Sequence, residues 1–160
     1  MTDVVIIGEM ICGVCEKIET QLLDYGVRII ASSEHVNDIL PLLEKHQPRV
    51  VILDFAEQAE LSLSLIRMIN IKNPAGKVLL ISEFTDENLL LDGVTVGASG
   101  CLEREACGIF LAKAIESIAL GEAWLSRKMV AALLERLADF SEQTQAEEER
   151  MVYSVSHQLH

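Results

Sequence analysis

The sequence predicts an α/β protein with one doubly wound parallel sheet, and three observations carry that prediction. Five short aliphatic runs recur along the first 121 residues: Val4–Ile7, Val27–Ile30, Val50–Asp54, Lys77–Ile81 and Gly100–Leu102. Runs of this kind, apolar at nearly every position, read as strands buried on both faces, the habit of parallel sheets. Each run is followed by a longer stretch whose apolar residues recur at helical spacing. Five such alternations predict right-handed crossovers, with helices on both faces of the sheet.

Each element can be justified in turn. Val4–Ile7 is broken by Gly8-Glu9-Met10, and Ile11, Val14, Ile18 and Leu22 give a helix over Cys12–Tyr25 that stops at Gly26. After Val27–Ile30, Ser32-Ser33 offers an N-cap to a helix carrying Val36, Ile39, Leu40 and Leu43, which closes before Pro48. Val50–Asp54 is the third strand. The helix Leu61–Ile71 is stopped by Asn73-Pro74-Ala75-Gly76. Lys77–Ile81 ends at Ser82, a short helix spans Asp86–Val96, and the brief strand Gly100–Leu102 follows. A long amphipathic helix, Glu105–Leu120, is stopped by Gly121. The pattern then changes. Ser126 can cap a helix over Arg127–Phe140, residues 141–150 are polar and acidic, and Met151, Val152, Val155 and Leu159 resume helical spacing. The expected division is therefore a domain over 1–121 and a helical extension or linker over 122–160.

Composition narrows the function. Half of the 160 residues are hydrophobic and only 4% are aromatic, so the core must be aliphatic. The net charge of −12 argues against a chain that itself grips nucleic acid or an anionic membrane, since both need clustered Lys and Arg. No run approaches the roughly 20 apolar residues of a membrane span. The opening residues lack the basic start of a signal peptide. Four cysteines are too few for a secreted disulfide framework, so reduced thiols in a cytoplasm are expected.

Polar groups gather at the ends of four runs: Glu9 after the first, Asp54 after the third, Ser82 after the fourth and Arg104 after the fifth. In the flavodoxin-like strand order 2-1-3-4-5 these ends are neighbours and open on one crevice. A carboxylate pair there suits Mg²⁺. A hydroxyl and a cation beside it suit the oxygens of a phosphoryl group. That chemistry points to phosphoryl transfer with the Asp54 carboxylate as nucleophile.

Three stretches, Val50-Val-Ile-Leu-Asp54, Val78-Leu-Leu-Ile-Ser82 and Gly97-Ala-Ser-Gly-Cys-Leu-Glu-Arg104, resemble the later signatures of receiver domains of bacterial two-component response regulators. The ending Ala119-Leu-Gly-Glu-Ala-Trp-Leu-Ser126 is similar to the close of the receiver in the LuxR-type subfamily. The resemblance implies Asp54 as phosphoacceptor, with Glu9, Asp54 and the main-chain carbonyl of Ala56 as Mg²⁺ ligands. It further implies Ser82 as the hydroxyl that moves onto the phosphoryl group, and Arg104 in the place of the usual lysine. It implies a sensor histidine kinase and a second copy of the chain as partners, with DNA reached only through a further C-terminal domain. The chain also departs from the pattern. Gly8 stands where an acid is usual, Glu57-Gln58 replaces Met-Pro, Ser62 replaces a turn glycine, and Cys101 replaces an aromatic. Arginine for lysine is not a conservative exchange, because a planar fork replaces a point charge.

Two other functions follow from these departures. One is a phosphorylation-independent pseudo-receiver acting as a dimerisation or protein-binding module. The other is a thiol-redox switch, because Cys12-Gly-Val-Cys15 sits between a strand and a helix, where a helix N-terminus can stabilise a thiolate. The bland reading of these cysteines, two small residues on a helix with one of them buried, is the favoured one. Trp124 is expected to anchor against the last helix of the domain.

Overall fold

The computed structural model describes residues 1–54, 59–83 and 87–158. The described residues fall into two compact units, Met1–Leu125 and Ser126–His160.

In the first unit five strands, β1 (Thr2–Ile7), β2 (Val27–Ser33), β3 (Val50–Asp54), β4 (Lys77–Ser82) and β5 (Gly100–Glu103), form one sheet in the order β2-β1-β3-β4-β5. Every pairing is parallel. The fold class and strand order read from the sequence are those observed. Between the strands lie α1 (Glu9–Asp24), α2 (Ile39–His46), α3 (Ala59–Lys72), α4 (Glu87–Thr95) and α5 (Cys107–Ala119).

The strand period of two divides the aliphatic runs between the faces. Val4, Ile6, Val50, Ile52, Leu79 and Ile81 pack with Ile11 and Leu22 of α1 and Leu111, Ile115 and Ile118 of α5. Val5, Ile7, Val51, Leu53, Val78 and Leu80 pack on the other face with Ile39 and Leu43 of α2 and Leu65, Ile66 and Ile69 of α3. Each fully buried Leu or Ile contributes roughly 1.5–3 kcal/mol relative to exposure. This continuous two-sided core makes the strand ends a rigid platform.

Three local readings change. Ser32 and Ser33 do not cap α2, because β2 continues through them to pair with Ile6 and Ile7. The register skips Ile30, between the pairs Val4↔Ile29 and Val5↔Ala31, and this bulge lets the strand run on. The Ser33 hydroxyl instead accepts the His35 N–H at 3.1 Å and donates to the Asp38 carboxylate at 2.7 Å. Helix α1 starts at Glu9, three residues earlier than the apolar spacing suggests. The Cys12 N–H therefore already bonds the Gly8 carbonyl, at 3.2 Å, inside the first turn. The last helix of the domain begins as a 3₁₀ turn, Arg104–Ala106, before α5 proper.

Trp124 anchors as expected and does more. Its ring lies 6.3 Å from that of Phe110 on α5. Its N–H bonds the Ser99 carbonyl and its own carbonyl accepts the Cys101 N–H, at 3.1 and 2.9 Å, so the segment lies along β5. Gly100 must be glycine there, since a Cβ would come within 3 Å of the Trp124 backbone.

In the second unit one helix, α6 (Arg127–Gln158), runs unbroken through the polar stretch 141–150. Ser126 caps it, accepting the Met129 N–H at 3.1 Å. Leu134, Leu137, Phe140, Met151, Val152 and Tyr153 are all exposed on it.

Candidate functional site at the carboxyl edge of the sheet

Parallel register aligns the strand ends. Ile7 pairs with Leu53, Asp54 with Ile81 and Ser82 with Glu103, which sets Gly8, Asp54, Ser82 and Arg104 in a row across one edge. Asp54 is the last residue of β3 and is buried, its side chain only 5% exposed. Ser82 ends β4 and is buried as well. The 3₁₀ turn after β5 redirects the chain, and from its first residue the long Arg104 side chain reaches back across the edge to β3.

That reach decides the site. Arg104 Nη2 donates to both oxygens of Asp54, at 2.9 Å each. Its Nη1 lies 3.1 Å from Oε1 of Glu83, whose side chain is 70% exposed. The Arg104 Nε–H is buried and has no partner among the described residues. One guanidinium is thus shared between a buried and an exposed carboxylate, with one donor unspent.

Burial pushes the Asp54 carboxyl upward from the usual carboxylate range. The hydrogen bond and charge of Arg104 pull it back without cancelling the shift, Glu83 adds to the rise, and the Ile11 main-chain N–H in the first turn of α1 opposes it. Burial alone would lower the Arg104 guanidinium, but Asp54 and then Glu83 hold it charged.

Four of the five sequence-predicted site residues lie along this edge, though in different ways. Asp54 and Arg104 are in direct contact. Ser82 is on the adjoining strand. Glu9 opens α1 beyond β1 with an exposed side chain. Ala56, with Glu57 and Gln58, lies outside the described residues. Gly8 lies against Asp54 with φ 134°, and a Cβ there would overlap the Asp54 Cβ. The acid usual at this position in receivers therefore has no room in this backbone. Among the described residues no group of three or more His, Cys, Asp or Glu is placed to hold a metal ion. Glu9 and Asp54 are the carboxylates that follow β1 and end β3. By donor type alone they suit a hard cation such as Mg²⁺, which keeps several waters and takes one or two carboxylates plus phosphate oxygens.

Glu83 is the residue sequence reasoning missed. The only signal was its place one step beyond Ser82 at a strand end, and nothing in the sequence says that its carboxylate meets Arg104.

The cysteines do not make a reactive pair. All four are free. Burial pushes Cys15 and Cys107 up to about 12 and raises Cys12, with Glu34 adding to the rise. Cys12 lies in the first turn of α1 and Cys15 a turn further in, and burial raises both thiols despite the helix N-terminus.

Strand order 2-1-3-4-5, an acidic residue at the end of β3 and a cation from the end of β5 gripping it are now together. The chain has the receiver fold. It is similar to the crystal structure of a LuxR-family two-component response regulator from Aurantimonas sp. SI85-9A1, with a TM-score of 0.69 and 17% identity over 86% of this chain and 99% of that one. Among curated proteins it is 24% identical over 119 residues to the DNA-binding transcriptional activator DevR/DosR of Mycobacterium tuberculosis. It is 28% identical over 122 residues to the transcriptional regulatory protein DegU of Brevibacillus brevis. Both matches cover 74% of this chain. The alignments span 55% and 52% of those relatives, so this chain covers about half their length. No family model matches the chain.

Proposed function

We propose that this chain is the receiver module of a response regulator in two-component signalling and accepts a phosphoryl group on Asp54 from a sensor histidine kinase. The observation that carries the reading is the grip of Arg104 on both oxygens of a buried strand-end aspartate. A carboxylate oxygen of Asp54 attacks phosphorus, the phosphorus–nitrogen bond of the phosphohistidine breaks, and its electron pair returns to the imidazole. The product is an acyl phosphate on Asp54.

Arg104 supports this step by following the charge as it passes from the carboxylate to the phosphoryl oxygens. Ser82, buried on the adjoining strand, supplies the hydroxyl that follows the same oxygens. The Ile11 N–H keeps a main-chain donor turned on Asp54. A divalent cation, when bound, supplies neutralisation of the phosphoryl oxygens; Glu9, Asp54 and the main-chain carbonyl of Ala56 would hold it. The chain takes part in its own modification and is not a turnover enzyme. Its output is dimerisation, or control of an attached DNA-binding domain of the kind the names of its curated relatives suggest, in the cytoplasm. Among the described residues no helix is long and apolar enough to cross a membrane.

A second reading, a pseudo-receiver that works without phosphorylation, is favoured by one observation: Gly8 excludes the usual acid while Arg104 already neutralises Asp54. Intact-mass spectrometry after incubation with a small-molecule phosphodonor and Mg²⁺ separates the two. A single phosphoryl adduct, absent from Asp54→Asn, supports the phosphoacceptor. No adduct, under conditions that label an ordinary receiver, leaves the pseudo-receiver. The thiol-redox alternative receives no support from Cys12 and Cys15, whose thiols burial pushes up.

A further inference from the structure

A guanidinium meets a carboxylate best through two parallel N–H···O bonds from two nitrogens. Arg104 does not do this with Asp54. One nitrogen, Nη2, serves both Asp54 oxygens, the second arm is turned to Glu83, and Nε is left without a partner among the described residues. We propose that Glu83 is a positioning residue for the phosphoryl switch: it withholds one arm of the Arg104 fork from Asp54 and competes for that arm with an incoming phosphoryl group. The proposal rests on the phosphoacceptor reading and names a regulator of the same site.

The chemistry of the competition follows from the charges. At rest one cation lies between two carboxylates. On phosphorylation the single charge of the Asp54 carboxylate gives way to a phosphoryl group carrying close to two negative charges and three acceptor oxygens. The Nη1 arm and the Nε–H of Arg104 are not spent on Asp54. Moving Nη1 onto the phosphoryl group breaks its pair with Glu83, which is exposed, screened by water and therefore weak. Glu83 directly follows Ser82, so its release frees the main chain next to the hydroxyl that closes on the phosphoryl group. Arg104 thereby links the state of Asp54 to the end of β4 through Glu83.

The test measures binding of beryllofluoride, a phosphoryl mimic, to the full chain in Mg²⁺ by ¹⁹F NMR, with the ¹⁵N signals of the Arg104 side chain read in the same samples. Four proteins are compared: wild type, Glu83→Gln, Arg104→Lys and the double variant. Loss of the competing charge should tighten beryllofluoride binding by about two- to fivefold, the range of one exposed ion pair. The Arg104 Nη signals should shift in Glu83→Gln. The gain should vanish in the Arg104→Lys background, because a lysine ammonium has no second arm to divert. Equal affinities for wild type and Glu83→Gln would sink the Glu83 role while leaving the phosphoacceptor in place. An equal gain in the lysine background would reduce Glu83 to a general charge effect and overturn the proposal. If folded wild type and Glu83→Gln both fail to bind, the phosphoacceptor reading itself falls and takes the Glu83 role with it.

Discussion

Two arginines at opposite edges of the sheet, Arg49 and Arg104, have opposite tasks; a third, Arg28, makes an exposed pair with Asp3 at the amino edge. At the amino edge Arg49 donates through Nε and Nη2 to the Ala119 carbonyl, at 3.2 and 2.5 Å, where α5 ends. Beside it the buried Asn73 donates to the Pro48 carbonyl at 2.9 Å and its own carbonyl receives the Gly76 N–H. Every acceptor in these Arg49 and Asn73 contacts is a main-chain oxygen, fixed by the fold and neutral. At the carboxyl edge Arg104 meets ionisable side chains, and one of its donors goes unused. Main-chain acceptors make an edge that holds the fold together. Carboxylates and an unspent donor make an edge whose hydrogen bonds can be redistributed when charge arrives.

Breaking the carboxyl edge should give the largest effects. Asp54→Asn should abolish the phosphoryl adduct completely, as read by intact mass. The same variant bears on pH. The folded-state carboxyl of Asp54 is raised above its unfolded value, chiefly by burial. Its contribution to stability is therefore most favourable in acid and is lost as pH rises through the raised value. Relative to Asp54→Asn, wild type should lose unfolding temperature as pH rises from the ordinary carboxylate range through the raised value. A wild type that instead gained on the variant as pH rose would contradict the sign of that shift.

Arg104→Met should come next. It leaves the Asp54 charge buried without its partner, which costs about 3–5 kcal/mol at neutral pH in urea unfolding. Losing Arg104 also raises the Asp54 carboxyl further, so the deficit should shrink as pH falls and Asp54 takes up its proton. It should shrink likewise in an Asp54→Asn background. The Arg49 and Asn73 contacts at the amino edge should respond to truncation but not to pH. Asn73→Ala orphans a buried carbonyl and should cost about 1–3 kcal/mol. Arg49→Met loses only an exposed cap on α5 and should cost about 0.5–1.5 kcal/mol by the same measurement. Neither should change the yield of adduct on Asp54. If Arg49→Met reduced it as much as Arg104→Met, the division of labour between the edges would be wrong.

Much of this molecule was legible in the sequence. The five aliphatic runs named five strands, because only a strand covered on both faces can be apolar at every position. Gly26, Pro48, the Asn73–Gly76 turn and Gly121 marked helix ends through backbone chemistry that is local. Asp54, Ser82 and Arg104 stood at strand ends, where the fold class itself puts ligands. What failed was the junctions. Ser32 and Ser33 looked like caps because capping is local, yet the pairing of β2 with β1 claimed their main chain first. The start of α1 was misplaced because the apolar stripe begins a turn after the hydrogen bonds do.

The sequence by itself determined the aliphatic core, the order of elements and the chemical types available at the carboxyl edge, since these follow from periodicity and side-chain character. Only the tertiary structure decided how those groups share their charges. That Arg104 reaches Asp54 with one nitrogen, lends the other to Glu83 and leaves Nε without a partner among the described residues depends on the register of three strands and one 3₁₀ turn. That Gly8 leaves no room for an acid depends on how closely β1 passes β3. Such distances between residues far apart in the chain leave no periodic trace in it.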